Sequence, residues 1–295
     1  MWFWKRGWKT RSAVISKGTI MNEIKKTYKN YVGGKYVRSE SGKTFRIELK
    51  NEFYEVPLTS RKDIRDAVVA AKKGHTAWQK LSPYNKTQVL YRLSEMLEGN
   101  FETYQQLLQD AGLTKAKAKE DIHKAVDSII WYAGMADKWE QMTGNLNPVA
   151  GDFFNISHQE SLGVVFTLNS NTQSLNSLLL NMLPALTVGC SVISFNEENS
   201  VLALKLAEDI NNSDLPGGAL NILSGKFELL IEDISNHVEI TAMAIYKEIH
   251  NDQKTMIKEN ASKSLKRIFI NPPTMGLEAL FPFIETKTVW HPKGR

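Results

Sequence analysis

The sequence predicts an α/β fold built on a doubly wound parallel sheet, and three observations carry that prediction. Five short apolar runs follow one another in the second half: Val164-Val165-Phe166-Thr167-Leu168, then residues 191–195, 219–223, 240–244 and 267–270. Segments with helical spacing separate them at 175–187, 199–211, 226–234 and 251–263. The first half, in turn, is rich in helix-start signals. Strands that alternate with helices pack as a parallel sheet covered on both faces, and such sheets take ligands beyond the carboxyl ends of their strands.

The elements can be justified in order. Residues 31–56 alternate around Gly33-Gly34 and read as short strands and hairpins. Ser60-Arg61-Lys62-Asp63 has the form of a capping box, and Ile64, Ala67, Val68, Ala71 and Trp78 then keep helical spacing. Ser82-Pro83 puts proline at the first position of a second helix with Val89, Leu90, Leu93, Met96 and Leu97 as its stripe. Thr114 opens the longest helix, whose apolar face is Ile122, Val126, Ile129, Ile130, Ala133 and Ala136. After Gln141 the pattern breaks at Gly144, Pro148 and Gly151, and residues 153–157 read as part of a strand pair.

Composition narrows the function classes. The 295 residues, 42% hydrophobic, suffice for a sizeable core, and no stretch approaches the ~20 consecutive apolar residues of a membrane helix. Cys190 is the single cysteine, which excludes an internal disulfide framework and suits a reducing compartment, so a cytoplasmic location is expected. The net charge of +5 sits entirely in residues 1–22, where Lys5, Arg6, Lys9, Arg11 and Lys17 face no acid. The body is therefore neutral, which argues against nucleic acid as a partner. The same segment carries Trp2, Phe3, Trp4 and Trp8. It reads as an extension or an upstream start before Met21, with a targeting or membrane-surface segment as the alternative. The six histidines show no ligand spacing, so no metal site is expected. Ser174 and Ser224 lack a nucleophile elbow. Glu197-Glu198 on a strand-to-helix turn reads as a solvated or capping pair.

Several stretches resemble the aldehyde dehydrogenase superfamily: Tyr31-Val32-Gly33-Gly34-Lys35-Tyr36-Val37, Tyr132-Ala133-Gly134-Met135-Ala136-Asp137, and above all Leu215-Pro216-Gly217-Gly218-Ala219-Leu220-Asn221-Ile222-Leu223-Ser224-Gly225. The resemblance runs from about Tyr31 to Asn271 and implies that family's Rossmann-like cofactor domain with N-terminal helices. It also implies a small β bridging or oligomerisation arm, because residues 283–292 resemble the family's carboxyl-terminal strand. The expected organisation is an extension at 1–30, the cofactor-domain fold at 31–141 and 163–275, and the arm at 142–162 and 280–295. The catalytic domain is expected to be absent, with only residues 275–282 between the last cofactor-domain strand and the arm. Ser213-Asp214-Leu215-Pro216-Gly217-Gly218 and the ending Lys287-Thr288-Val289-Trp290-His291-Pro292 are similar to the degenerate, cysteine-less units of the family-16 type.

At the positions this resemblance assigns to chemistry, the residues differ. Thr172 stands where the family's Pro-Trp-Asn-Phe-Pro has the asparagine that holds the oxyanion, and its side chain is shorter. Phe195 replaces the ribose lysine of Lys-Pro-Ser-Glu, while Glu198 survives as a vestigial ribose acceptor. The phosphate loop Gly-Ser-Thr-x-x-Gly falls on residues 248–253, so Glu248 and Gln253 take the places of its glycines. Asn271 replaces the general-base glutamate, and an amide cannot accept a proton at neutral pH. No later cysteine supplies the nucleophile, and Cys190 reads as a core thiol.

The expectation is thus a pseudoenzyme with no cofactor, which partners a second copy or a full-length aldehyde dehydrogenase. Its interface would be Phe283, Ile284, Thr286, Thr288, Val289 and Trp290. The alternative is a weak or divergent NAD(P)-dependent aldehyde oxidoreductase, or a nucleotide binder.

Overall fold

Gly33 and Gly34, at φ of +61° and +79°, turn the chain between its first two strands, a conformation that favours glycine twice over. The fold begins there in a computed structural model that describes residues 26–50 and 52–294. The aromatic-basic segment read from residues 1–20 lies outside the described residues. The strands are β1 (Asn30–Val32), β2 (Lys35–Val37), β3 (Thr44–Leu49) and β4 (Glu52–Pro57), the last two a hairpin of their own. The expected extension ends too late at residue 30. Tyr28 is buried, and Asn30 bonds Thr59 Oγ1 at 3.0 Å and the Ser224 N–H at 3.0 Å, so both belong to the fold.

Five helices follow: α1 (Arg61–Gln79), α2 (Pro83–Gly99), α3 (Phe101–Asp110), α4 (Lys115–Met135) and α5 (Trp139–Thr143). The capping box forms as read. Ser60 Oγ accepts from the Asp63 N–H at 3.4 Å, and Asp63 Oδ2 accepts from the Ser60 N–H at 2.8 Å. Ser82 Oγ and Thr114 Oγ1 cap α2 and α4 more simply, accepting from the Asn85 and Lys117 N–H with no reciprocal bond. Next come β5 (Asn145–Asn147) and β6 (Phe153–Ser161), and then the alternating half: β7 (Val164–Leu168), α6 (Leu175–Leu180), α7 (Leu183–Thr187), β8 (Ser191–Asn196), α8 (Ser200–Asn211), β9 (Leu220–Ser224), α9 (Ile231–Asn236), β10 (Ala242–Ile245), α10 (Asn251–Ser262), β11 (Arg267–Ile270) and finally β12 (Ile284–Pro292). The single helix expected over 175–187 is two, broken at Asn181-Met182 before Pro184, which has no N–H to continue the ladder.

The main sheet has seven strands in the order β11-β10-β7-β8-β9-β1-β2. The first five are parallel, and β1 and β2 add antiparallel at one edge. The chain leaves β7 towards β8 on one side and reaches β10 on the other, so the switch point lies between β7 and β10. Period-two alternation splits the core into two faces. Val165, Val192, Ile222 and Ala244 pack with α2, α4, α6 and α8, whereas Phe166, Ile193, Leu223 and Met243 pack with α1, α9 and α10. A β-carbon at Gly74 of α1 would lie 2.0 Å from the Gly218 carbonyl carbon, so that helix rides directly on backbone. A separate three-stranded antiparallel sheet, β12-β6-β5, forms an arm.

Candidate functional site

The chemistry of such a sheet belongs at the switch point, and a cleft of about 340 Å³ lies there. The loop after β7 supplies Ser170 and Ser174, Tyr246 follows β10, and Asn271, Pro272 and Thr274 follow β11. Asn271 is held at φ of +49°, its N–H donating to the Ile245 carbonyl at 2.8 Å. The Thr274 carbonyl accepts from the Tyr132 hydroxyl at 2.7 Å. The Tyr246 hydroxyl is buried without a partner among the described residues, and burial pushes its pKa well above the usual phenol range. Among the described residues the cleft wall offers hydroxyls and amides and no thiol, carboxylate, imidazole or amine.

The loop from 169 to 174 is fixed from below. Asn169 Nδ2 bonds Ser194 Oγ at 2.7 Å and Asn196 Oδ1 at 2.9 Å. Asp121 of α4 closes the start of α6, accepting from Ser174 Oγ at 2.5 Å and from the Leu175 N–H at 2.7 Å. Ser174 Oγ also accepts from the Ser177 N–H at 3.0 Å, so it is a helix cap and not a free nucleophile. Thr172 is exposed on this loop and stands outside the cleft wall, which Ser170 and Ser174 form instead. Of the two degenerate catalytic positions read from sequence, the cleft takes in Asn271 alone.

The positions assigned to a nucleotide fall at the ends of β8 and β10. Phe195 is fully buried, its ring 5.8 Å from Phe166 and 6.3 Å from Phe227, and a β-carbon at Gly225 would meet it at 2.8 Å. Glu198 is exposed, with its carbonyl accepting from Gln173 Nε2 at 2.8 Å. Glu248 is exposed as well, and Gln253 turns back so that its Oε1 accepts from the His250 N–H at 3.1 Å, occupying the start of α10.

Glu197 corrects the reading of a solvated pair. It is buried, pairs with the Lys247 ammonium, and accepts from the Phe227 N–H at 2.8 Å. It does cap, but the turn it caps is thirty residues away. Sequence reasoning missed Lys247, because nothing local ties it to a carboxylate fifty residues earlier.

Cys190 immediately precedes β8, at the opposite end of the sheet from the cleft. It is fully buried with Sγ donating to the Phe283 carbonyl at 3.4 Å, and burial pushes the thiol up to about 12. Among the described residues no group of three or more His, Cys, Asp or Glu is placed to hold a metal, and no helix is long and apolar enough to cross a membrane.

The interface set also needs correction. Phe283 is fully buried, edge-on to Phe269 at 6.1 Å, and Ile284 is 8% exposed, so both pack into this chain's own body. Thr286, Thr288, Val289 and Trp290 stay exposed on β12.

The family model of the aldehyde dehydrogenase family matches residues 37–271. The candidate aldehyde dehydrogenase DhaS of Bacillus subtilis strain 168 is 31% identical over 253 residues, covering 82% of this chain and 50% of that protein. Omega-crystallin of Enteroctopus dofleini is 28% identical over 253 residues, covering 83% and 50%. Among solved structures, an aldehyde dehydrogenase from Bacillus cereus superposes with a TM-score of 0.77 at 23% identity, over 83% of this chain and 50% of that one. PnpE from Pseudomonas sp. WBC-3 gives the same TM-score, identity and coverage. The chain belongs to the aldehyde dehydrogenase family, and it spans about half the length of the curated relatives it matches.

Proposed function

We propose that this chain is a non-catalytic aldehyde dehydrogenase family protein that serves as a structural or regulatory partner, joining a second copy or an intact aldehyde dehydrogenase through its three-stranded arm. The observation that carries the reading is the cleft wall of hydroxyls and amides. Aldehyde oxidation through a covalent intermediate requires an activated nucleophile and a base to take a proton. In this cleft Asn271 is an amide and Ser174 is committed to capping α6.

The nucleotide side supports the same conclusion. The buried Phe195 ring cannot hold a ribose hydroxyl, Gln253 occupies the start of α10, and Glu248 and Asp252 set negative charge where a pyrophosphate would approach. The residues present do not fit a dinucleotide, and no catalytic step is assigned to one. A single cysteine leaves no pair for an internal disulfide, which suits a reducing compartment, and a cytoplasmic location is part of the proposal.

Calorimetric titration with NAD and NADP tests the first half of the proposal, with no saturable binding expected into the millimolar range. Submicromolar binding, or reduction of NAD in the presence of an aldehyde, overturns it. Co-elution with a purified full-length aldehyde dehydrogenase tests the second half, and separate elution of a monomeric chain rejects it.

A further inference from the structure

β12 is a long edge strand. Its neighbour is β6, and among the described residues no strand lies on its other side. Two backbone bonds fix which way each residue faces: the Leu162 N–H donates to the Phe283 carbonyl at 3.1 Å, and the Lys293 N–H donates to the Asp152 carbonyl at 2.7 Å. Antiparallel ladders alternate, so residues 285, 287, 289 and 291 bond to β6 and the even-numbered residues turn their N–H and C=O outward. Ile284 bears this out, since its outward carbonyl accepts from Arg267 Nη1 at 2.9 Å. Thr286, Thr288 and Trp290 therefore present a row of backbone donors and acceptors along an exposed edge. Among the described residues no proline, bulge or covering element interrupts that row before Pro292, and such an edge is a template for another strand.

We propose that β12 pairs antiparallel with β12 of a second copy about a two-fold axis at Thr288, joining the two arms into one six-stranded sheet. The inference rests on the reading of the arm as an assembly element and names its occupant. Outward residues must face outward residues, which leaves few registers. An axis at Thr286 leaves only residues 284–288 to pair, because the chain before Ile284 turns into the body. An axis at Lys287 sets that lysine against its own copy, and an axis at Trp290 sets it against Lys293. An axis at Val289 sets it against His291. With the axis at Thr288, Glu285 lies opposite His291 of the second copy, Thr286 opposite Trp290, and Lys287 opposite Val289, so no like charges face each other.

The side chains continue the pattern. Leu146, Ile156 and Val289 form one cross-strand row, each exposed by 44% or more, and the stem of Lys287 from the second copy extends it. On the other face Trp290, edge-on to Phe153 at 5.9 Å, covers Thr286 of the second copy.

Light scattering on the full chain at tens of micromolar is expected to give a dimer. In Thr288→Cys the two sulfurs fall in a hydrogen-bonded antiparallel pair, with α-carbons about 5.5 Å apart, within disulfide reach. Mild oxidation then traps a covalent dimer faster than in Lys287→Cys, while Cys190 stays enclosed. Thr288→Pro removes an outward N–H and none that bonds β6, so it keeps the wild-type circular dichroism and weakens dimerisation at least roughly tenfold. A monomeric chain, cross-linking that favours position 287, or a dimer indifferent to Thr288→Pro overturns the pairing. A chain that is monomeric alone yet co-elutes with a full-length aldehyde dehydrogenase rejects this register and leaves the partner reading standing. A self-dimer that ignores the aldehyde dehydrogenase keeps the register and removes the hetero-oligomeric half of that reading.

Discussion

Lys247 and Glu197 form an ion pair across the carboxyl ends of β10 and β8, with the carboxylate side chain 4% exposed and the lysine 24%. Breaking a buried pair leaves the survivor desolvated and costs more than the pair itself contributes. Glu197→Ala also frees the Phe227 N–H, so it is expected to lower unfolding free energy by about 3 kcal/mol. Lys247→Met should cost at least as much, because it strands the more deeply buried partner, a carboxylate 4% exposed that keeps the Phe227 N–H alone. Urea titration of the two single variants and the double variant checks both values, and additive costs would show that the two groups are uncoupled.

Cys190 should be inert in the folded protein. With the thiol pushed up to about 12 by burial, the thiolate that attacks a disulfide reagent is absent at pH 8. Native protein is expected to show no titratable thiol over an hour and the urea-unfolded protein one. Rapid reaction of the native protein would place Cys190 nearer the surface than the fold does.

Lys266 carries a pH signature of the opposite sense. Its ammonium donates to the His237 carbonyl at 2.6 Å and the Ile234 carbonyl at 3.4 Å, yet burial lowers its pKa from 10.5 to about 8. Between those values the unfolded chain holds the proton that the folded chain has released, so this group's contribution to stability rises with pH across that window. Partial solvent screening keeps the slope below the ~1.4 kcal/mol per pH unit of a fully isolated group. The stability of wild type relative to Lys266→Met should therefore increase from pH 8 to pH 10, and a flat difference would refute the assignment.

Two glycines should respond oppositely to alanine. At Gly74 the new β-carbon meets the Gly218 backbone at 2.0 Å, and α1 must lift from the sheet, which is expected to cost about 3 kcal/mol or more. At Gly99, in the last turn of α2, the β-carbon meets nothing within 4 Å, and the gain in helix propensity should stabilise by about 0.5 kcal/mol. Thermal melts of the two variants distinguish the cases directly.

The parallel sheet was legible because its signals are local. Apolar runs such as 164–168 mark strands at sight, and Ser60, Ser82 and Thr114 announce their helices within four residues. Helix α3 announces itself poorly, starting at Phe101 directly after α2 with no side-chain cap at Asn100. In the site, the identities of Thr172, Phe195 and Asn271 could be read against a resemblance. Their surroundings could not, since the separation of Thr172 from the cleft, the ring cluster around Phe195 and the Lys247–Glu197 pair all arise from strands meeting across the sheet. Phe283 and Ile284 misled for a similar reason. An apolar residue at the start of an exposed strand looks the same in sequence whether it faces a neighbour or its own core.

The pairing of β6 with β12 joins residues 153–161 to residues 284–292, with the whole alternating half of the sheet between them. On the ribosome β6 is made early and must wait, unpaired along one side, while residues 162–283 emerge and fold. Only when β12 appears does the arm acquire the edge described above. A chain stalled before that point carries a finished parallel sheet but offers β6 as its open edge in place of β12, so the order of synthesis delays the proposed β12 pairing until the body is made.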